Sequence, residues 1–427
     1  MITWPIHMID LLIRNASEIV TTMDLGRPLK GKEMGELTAI EDGAIAVKDG
    51  KITAIGTTDQ VLSQVEVSDL THVMRAEGQC IMPGFVDSHT HALFSGSREK
   101  ELGMRVKGLS YLEILGQGGG ILSTMKRTRE APEALLIAET LPRLKRMFRH
   151  GSTTIEVKSG YGLDKKNELK MLNCVRNAAK IVPVDLVSTF IGAHAVPPEY
   201  KGRPDQYIDH VISILPDFRE LASYVDIFCD KGAFTAEHMH RLFTEARELG
   251  FGTKAHVDEI ENIGGTRTAI EMGATSVDHM VKTDDDTIEL LGNSETIACL
   301  LPATPFVLME NEYPRARDML DANCALALAT DMNPNCWTEN MQFVVSLAML
   351  QMKMSIEECI TASTLNGAYA LGVADKCGSL EVGKNADILI LDAPNHLHLG
   401  YKIGINIAST VIKKGRIYSG AQGPQGT

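Results

Sequence analysis

CIMPGFVDSHTH, residues 80–91, is an apolar run that ends abruptly in polar chemistry. Residues i and i+2 of a strand point to the same side, so a strand entering this stretch would offer His89 and His91 to one point, with imidazole nitrogens able to reach a shared metal ion at about 2.0–2.1 Å. Alone, an H-x-H pair is equally two surface histidines at a loop start. Seven more apolar, β-branched runs follow it: TTIEVKS (153–159), VDLVSTFIGA (184–193), SYVDIFCD (223–230), GTKAHVD (252–258), ATSVDHM (274–280), TIACLLPA (296–303) and CALALATD (324–331). Stretches of helical spacing lie between them, among them LLIAETLPRLKRMFRH (135–150), AEHMHRLFTEARELG (236–250) and GGTRTAIEMG (264–273). Strand and helix alternate over about 250 residues, the usual length of a (β/α)8 TIM-type barrel. A doubly wound open sheet would fit the alternation too. Polar residues at the ends of so many runs favour the barrel, where all strand ends face one pocket.

Outward from that core the style changes. GAIAVKDGKITAIG (43–56) alternates around Asp49-Gly50 and reads as a hairpin, and GSLEVGKNADILILDA (378–393) and ASTVIKKGRIYSG (408–420) repeat the pattern with a Lys-Gly turn. The predicted organisation is one small β-sheet domain formed by both chain ends, from 1–78 and 377–420, around a barrel at 79–376. Residues 421–427, AQGPQGT, have no apolar anchor and are expected to fray.

Lys plus Arg number 42 against 55 Asp plus Glu, a formal charge of −13, and no basic tract stands out, so nucleic acid is not an expected partner. No run of 18 uncharged apolar residues occurs, and the apolar start is interrupted by Asp10 and Arg14, which speaks against a membrane span or signal peptide. Eight scattered cysteines without a C-x-x-C pair are expected as free thiols in a reducing cytoplasm.

Chemistry gathers where the runs end. His194, His256, His279 and Asp331 stand at the ends of runs three, five, six and eight, beside His89 and His91 of run one. Any one of them is as well read as a hydrogen-bonded structural histidine or a capping aspartate. Together, two histidines from run one, one from run five and the aspartate of run eight make an N/O donor set open to water, as catalytic metal needs, accepting zinc, iron or manganese. Glu259, three residues after His256, is either a first-turn acid favoured by a helix dipole or a proton shuttle. Arg98 lies in SGSREKE (95–101), a loop placed to overhang the pocket, where its fork could clamp a substrate carboxylate. Tyr161, between Gly160 and Gly162, could be pushed into the site by a sharp turn. Gly116-Gln117-Gly118-Gly119-Gly120 lacks the flanking strand and Lys-Ser/Thr of a phosphate loop and reads as a mobile turn.

PGFVDSHTH (83–91), the histidines of runs five and six, the aspartate of run eight and GSLEVGKNADILILD resemble the metal-dependent amidohydrolase superfamily, whose barrel carries a sandwich built from both termini. HALFSGSREKELGMRVKG (91–108), EVKSGYGL (156–163), FIGAHAVPPEY (190–200), KAHVDE (254–259) and ATDMNPN (329–335) resemble, within it, the imidazolonepropionase family. The resemblance implies one divalent or trivalent metal ion, zinc or iron, on His89, His91, His256 and Asp331. It implies substrate held by Arg98, Tyr161, His194 and Glu259, and contact from Asn333, Asn335 and Cys336 after run eight. The family usually has Gly and then Ser or Thr where this chain has Asn335 and Cys336. The implied reaction is hydrolysis of the lactam ring of 4-imidazolone-5-propanoate to N-formimino-L-glutamate, in histidine degradation. Asp331, His279 and Glu259 would be its catalytic groups, in a cytoplasmic homodimer. A two-metal site would want a bridging Lys or Glu at the end of run four, which closes Cys229-Asp230-Lys231 and is read as mononuclear, with a second metal near Lys231 left open. The rival within the superfamily is an aminohydrolase of a purine or pyrimidine base.

Overall fold

The computed structural model describes residues 7–109, 113–114 and 119–419. Gly116–Gly118 of the glycine-rich turn and the tail at 421–427 lie outside the described residues. Eight parallel strands form the barrel: β1 Phe85–Asp87, β2 Ser152–Lys158, β3 Asp185–Ala193, β4 Tyr224–Cys229, β5 Gly252–Val257, β6 Ser276–His279, β7 Ile297–Leu300 and β8 Ala325–Leu328. Each pairs with its neighbour in chain order, as crossover helices between successive strands require.

β1 and β8 meet just past their ends. Asp87 accepts hydrogen bonds from the Thr330 N–H (3.0 Å) and hydroxyl (2.7 Å), the Asp331 N–H donates to the His89 carbonyl (3.1 Å), and the His91 N–H donates to that of Met332 (2.8 Å). The seam that closes the barrel therefore holds the first and last candidate ligands in register.

The apolar part of the opening stretch, residues 80–88, proves to be two strands. Cys80–Pro83 belongs to the small sheet, antiparallel to Ile388–Leu391, and only Phe85–Asp87 enters the barrel. Both are buried, so no polar residue marks the boundary in the sequence. Gly84 marks it instead: a Cβ there would lie 2.3 Å from the Thr153 hydroxyl.

The small mixed sheet runs, in spatial order, 416–419, 408–413, 388–391, 80–83, 11–21, 38–48 and 51–57, with 72–75 beside 11–21, so both chain ends build it. Its hairpins turn on Asp49-Gly50 (φ 50° and 75°) and Lys414-Gly415 (φ 47° and 74°), positive at both central positions as type I′ turns need. Alternation settles its faces. Cys80, Met82, Leu389, Leu391 and Val411 join the barrel's core, while Ile81, Ile388, Ile390 and Ile412 fill a separate core. Among the described residues no helix is long and apolar enough to cross a membrane. All eight cysteines are free and buried.

Candidate active site

The histidines converge at the C-terminal mouth of the barrel. His89 and His256 stack edge to face with ring centroids 4.4 Å apart, and His279 lies 5.5 and 5.3 Å from them. His91 Nε2 faces His256 Nε2 at 3.1 Å. One ligand atom each from His89, His91 and Asp331 falls within 4.8 Å of the others, as do those of His89, His256 and His279. The outward nitrogens are committed: His89 Nδ1 donates to Asp278 (2.7 Å) and His256 Nδ1 to Asp226 (3.1 Å), which assigns their protons and leaves both Nε2 atoms as bare lone pairs. Among the described residues His89 Nε2 is buried without a hydrogen-bond partner, 3.6 Å from Asp331 Oδ1. Burial, and then the charges of Lys158 and the other imidazoles, hold His89 well below the usual histidine pKa, and burial does the same at His91 and His256. Unprotonated nitrogens and a carboxylate facing inward in a dry space suit a cation, so the donor set fits a metal ion.

Backbone strain collects here. His279 (φ 78°), Asp331 (φ 48°) and Asp258 (φ 51°) are non-glycine residues in the left-handed region, at the ends of β5, β6 and β8. The two catalytic carboxyls expected from the sequence titrate apart. Burial lifts Asp331 to about 6, and burial together with Asp230 lifts Glu259 to about 8. Asp331 also accepts from the Thr304 hydroxyl at 2.5 Å, and Glu259 Oε2 lies 3.8 Å from His279 Nε2.

His194 stacks on His91 at 4.8 Å, with its Nδ1 donating to the Gly160 carbonyl at 3.0 Å. Burial lowers its pKa to about 4. Tyr161 is buried 5.4 Å from the His194 ring and 5.9 Å from that of His91. Gly160 (φ 92°) has to be glycine, since a Cβ would sit 2.8 Å from His194 Nδ1.

Asn333 is spent on the loop itself. Its amide nitrogen donates to the Asp331 carbonyl (2.8 Å) and its oxygen accepts from the N–H groups of Asn335 (2.7 Å) and Cys336 (3.0 Å). Cys336 is buried with Sγ 3.8 Å from the Thr330 carbonyl, and burial keeps its thiol protonated. Arg98 is buried too, but its Nη2 already donates to Glu101 at 2.6 Å. Lys231 points away, exposed and paired with Glu261, and Asp230 caps the 259–261 segment by accepting from three of its N–H groups at 2.7–2.9 Å. Neither residue of the Asp230-Lys231 pair is placed to bridge two metals.

Residues 80–418 match the Amidohydrolase family. Over 418 residues, 97% of this chain and 98% of the relative, the sequence is 44% identical to an imidazolonepropionase of Bacillus velezensis. The chain belongs to the imidazolonepropionase branch of the amidohydrolase family. An imidazolonepropionase of Bacillus cytotoxicus is likewise 44% identical over 96% of this chain and 97% of its own. Among solved structures, a zinc-bound adenosine deaminase of Xanthomonas campestris superposes with a TM-score of 0.72 at 19% identity, covering 97% of this chain and 94% of that one. E. coli guanine deaminase does so with 0.73 at 17% identity, covering 96% and 100%. At such identities it is the fold that is shared.

Beneath the histidines this amidohydrolase carries a buried ionic layer that the sequence reading passed over. Lys158 Nζ meets Asp226 (2.6 Å), Glu156 (3.0 Å) and Asp278 (3.4 Å), and Lys254 Nζ meets Glu156 (2.9 Å) and the Ser88 carbonyl (3.0 Å). Burial opposes the charge on Lys158, but its three carboxylates outweigh it and raise its pKa. Lys158 thus anchors the two aspartates that aim His89 and His256. The available signal was charge inside buried runs: TTIEVKS, SYVDIFCD, GTKAHVD and ATSVDHM each hold one or more of these residues. Lys158→Met should destabilise the fold by roughly 3–5 kcal/mol, because it leaves carboxylates crowded and unpaired in a dry interior. Denaturant unfolding measures it, and a loss under 1 kcal/mol would show the layer to be dispensable. Glu168 was missed as well. Its carboxylate accepts from the N–H groups of Gly160 (3.0 Å), Gly162 (2.7 Å) and Leu163 (2.8 Å), shaping the turn that presents Tyr161.

Proposed function

We propose that this chain opens the lactam ring of 4-imidazolone-5-propanoate by metal-dependent hydrolysis, giving N-formimino-L-glutamate in histidine degradation. The observation that carries the reading is the set of inward-facing, unprotonated imidazole nitrogens beside Asp331, in a chain 44% identical to curated imidazolonepropionases over nearly its whole length. His89, His91, His256 and Asp331 would hold one ion, zinc or iron. Such an ion supplies Lewis acidity, polarising a carbonyl and making water easier to deprotonate.

The residues divide the proton work by their environments. Asp331, at about 6, is ionised at neutral pH and takes the proton of the attacking water. Glu259, at about 8, still holds its proton there and gives it to the ring nitrogen as the C–N bond breaks. His279, kept neutral by burial, donates a hydrogen bond to the oxyanion that forms at the carbonyl. His194, its Nδ1–H tied to Gly160, presents an unprotonated Nε2 that suits accepting a hydrogen bond from the substrate, with Tyr161 alongside. Asn333 holds the loop after β8, and Asn335 and Cys336 border the product.

Arg98 would bind the propionate arm with the donors that Glu101 leaves free. Arg98→Lys keeps Glu101 paired but loses the planar fork, and should lower kcat/KM by about 10- to 10²-fold on the acid and far less on its methyl ester. Equal losses on both would remove Arg98 from carboxylate binding. The test of the whole reading is loss of imidazolone-propanoate absorbance with metal-replete protein. Turnover confined to a purine or pyrimidine base would replace it with an aminohydrolase. The formal charge of −13 and eight free thiols support a small-molecule enzyme without nucleic acid, in a reducing cytoplasm. The homodimer rests on the family resemblance, and sedimentation measures it.

A further inference from the structure

Helix Glu99–Val106 follows the β1 histidines, and it brings two arginines to the edge of the site rather than one. Arg98, its N-cap, is 7% exposed, and Arg105, in its last turn, 9%. Each has a buried Nε without a hydrogen-bond partner among the described residues. Arg98 Nη2 donates to Glu101 Oε2 (2.6 Å), whose other oxygen accepts from the Gly120 N–H (3.0 Å). Arg105 Nη1 reaches across to the loop after β8 and donates to Asn335 Oδ1 at 2.6 Å. Two guanidiniums against the carboxylate of Glu101 leave a formal charge of 2 − 1 = +1, and Asn335 adds none. A buried cation without its own anion is unfavourable, and the two unpartnered Nε–H groups leave donors that an anion's oxygens would satisfy. Burial, reinforced by the charge of Arg98, already lowers the pKa of Arg105.

We infer that Arg105 is a specificity-determining residue of this site, the second guanidinium of a two-arginine cradle for a substrate carboxylate, with Asn335 as the acceptor that aims it. The inference rests on the proposed function and extends it from Arg98 to a residue in the next two turns of the same helix. It also gives the Asn335 side chain a task that glycine could not perform. From the cradle, hydrogen bonds lead from Arg105 to the Asn335 side chain. From the Asn335 N–H they continue through the Asn333 side chain to the Asp331 carbonyl, so the group that receives the carboxylate is fastened to the segment that carries the catalytic aspartate.

The test is steady-state kinetics of the metal-loaded full chain on imidazolone-propanoate and its methyl ester, comparing wild type, Arg105→Met, Arg105→Lys and Asn335→Gly. Arg105→Met should raise KM for the acid by about 10- to 10²-fold, with kcat and the ester's KM within about threefold of wild type. Arg105→Lys should fall between, since charge remains without the fork, and Asn335→Gly should shift KM for the acid in the same direction by less. Equal effects on acid and ester, or an unchanged KM for the acid, overturn the inference. If Arg105→Met does not fold, Arg105→Lys decides it by the same ratio. Failure of the wild type to hydrolyse imidazolone-propanoate would instead overturn the proposed function. Calorimetric binding of imidazole-4-propanoate then reads the cradle alone: weaker binding by Arg105→Lys than by wild type supports it, and equal binding ends it.

Discussion

His256→Ala should lose its metal and its turnover together while the barrel stays folded. The imidazole nitrogen that faces His91 at 3.1 Å is one of four proposed donors, and without it the ion would keep only His89, His91 and Asp331, a weaker hold. Loss of the ion removes both carbonyl polarisation and water activation, so kcat should fall by at least about 10⁴-fold. The fold survives for a stated reason. Asp226, which His256 engages, keeps its 2.6 Å ion pair with Lys158 and is not stranded in the interior. Metal content measured beside circular dichroism checks this. Stoichiometric metal and a wild-type rate in the variant would remove His256 from the ligand set.

Glu259→Gln should keep its metal and lose kcat by roughly 10²-fold or more, because an amide cannot hand a proton to the leaving nitrogen. The pH profile separates this from mere misplacement. With Glu259 at about 8 in the free protein, the acid form is the working one, so kcat/KM of the wild type should decline as pH rises through that value, and the limb should be absent from Glu259→Gln. Stability moves in a related way. The folded chain retains a proton that the unfolded chain releases near the ordinary glutamate value of about 4.5, so the contribution of this group is complete below that pH and drains away as pH rises through about 8. Glu259→Gln should therefore gain thermal stability relative to wild type at pH 9 and gain little at pH 5. A wild-type kcat, or a Tm difference that does not change with pH, would contradict the assignment.

Much of this was legible one run at a time. Six of the eight barrel strands lie inside the runs read from the sequence, a seventh, Ser152–Lys158, starts one residue before its run, and His89, His91, His194, His256, His279 and Asp331 do meet at the strand ends. The exception, Cys80–Asp87, was unreadable as two strands because both are buried and only Gly84 separates them. The ionic layer was partly legible, since a lysine or an aspartate inside an apolar strand run needs a partner. Arg105 was not. Its partner Asn335 is 230 positions away, and an arginine in an amphipathic helix reads as solvated until the fold buries it.

By itself, the sequence determined most of the strands, the hairpin turns and the places where histidines and carboxylates stand at strand ends, because these depend on period-two alternation, on i and i+2 geometry and on the backbone demands of Gly-containing turns. Tertiary structure decided which imidazole nitrogen faces inward, through Asp226 and Asp278 held by Lys158. It also decided that Asp331 and Glu259 titrate apart, at about 6 and about 8, and that two arginines rather than one border the site. Those properties come from desolvation and from charges distant in the chain, and both exist only once the barrel has closed around them.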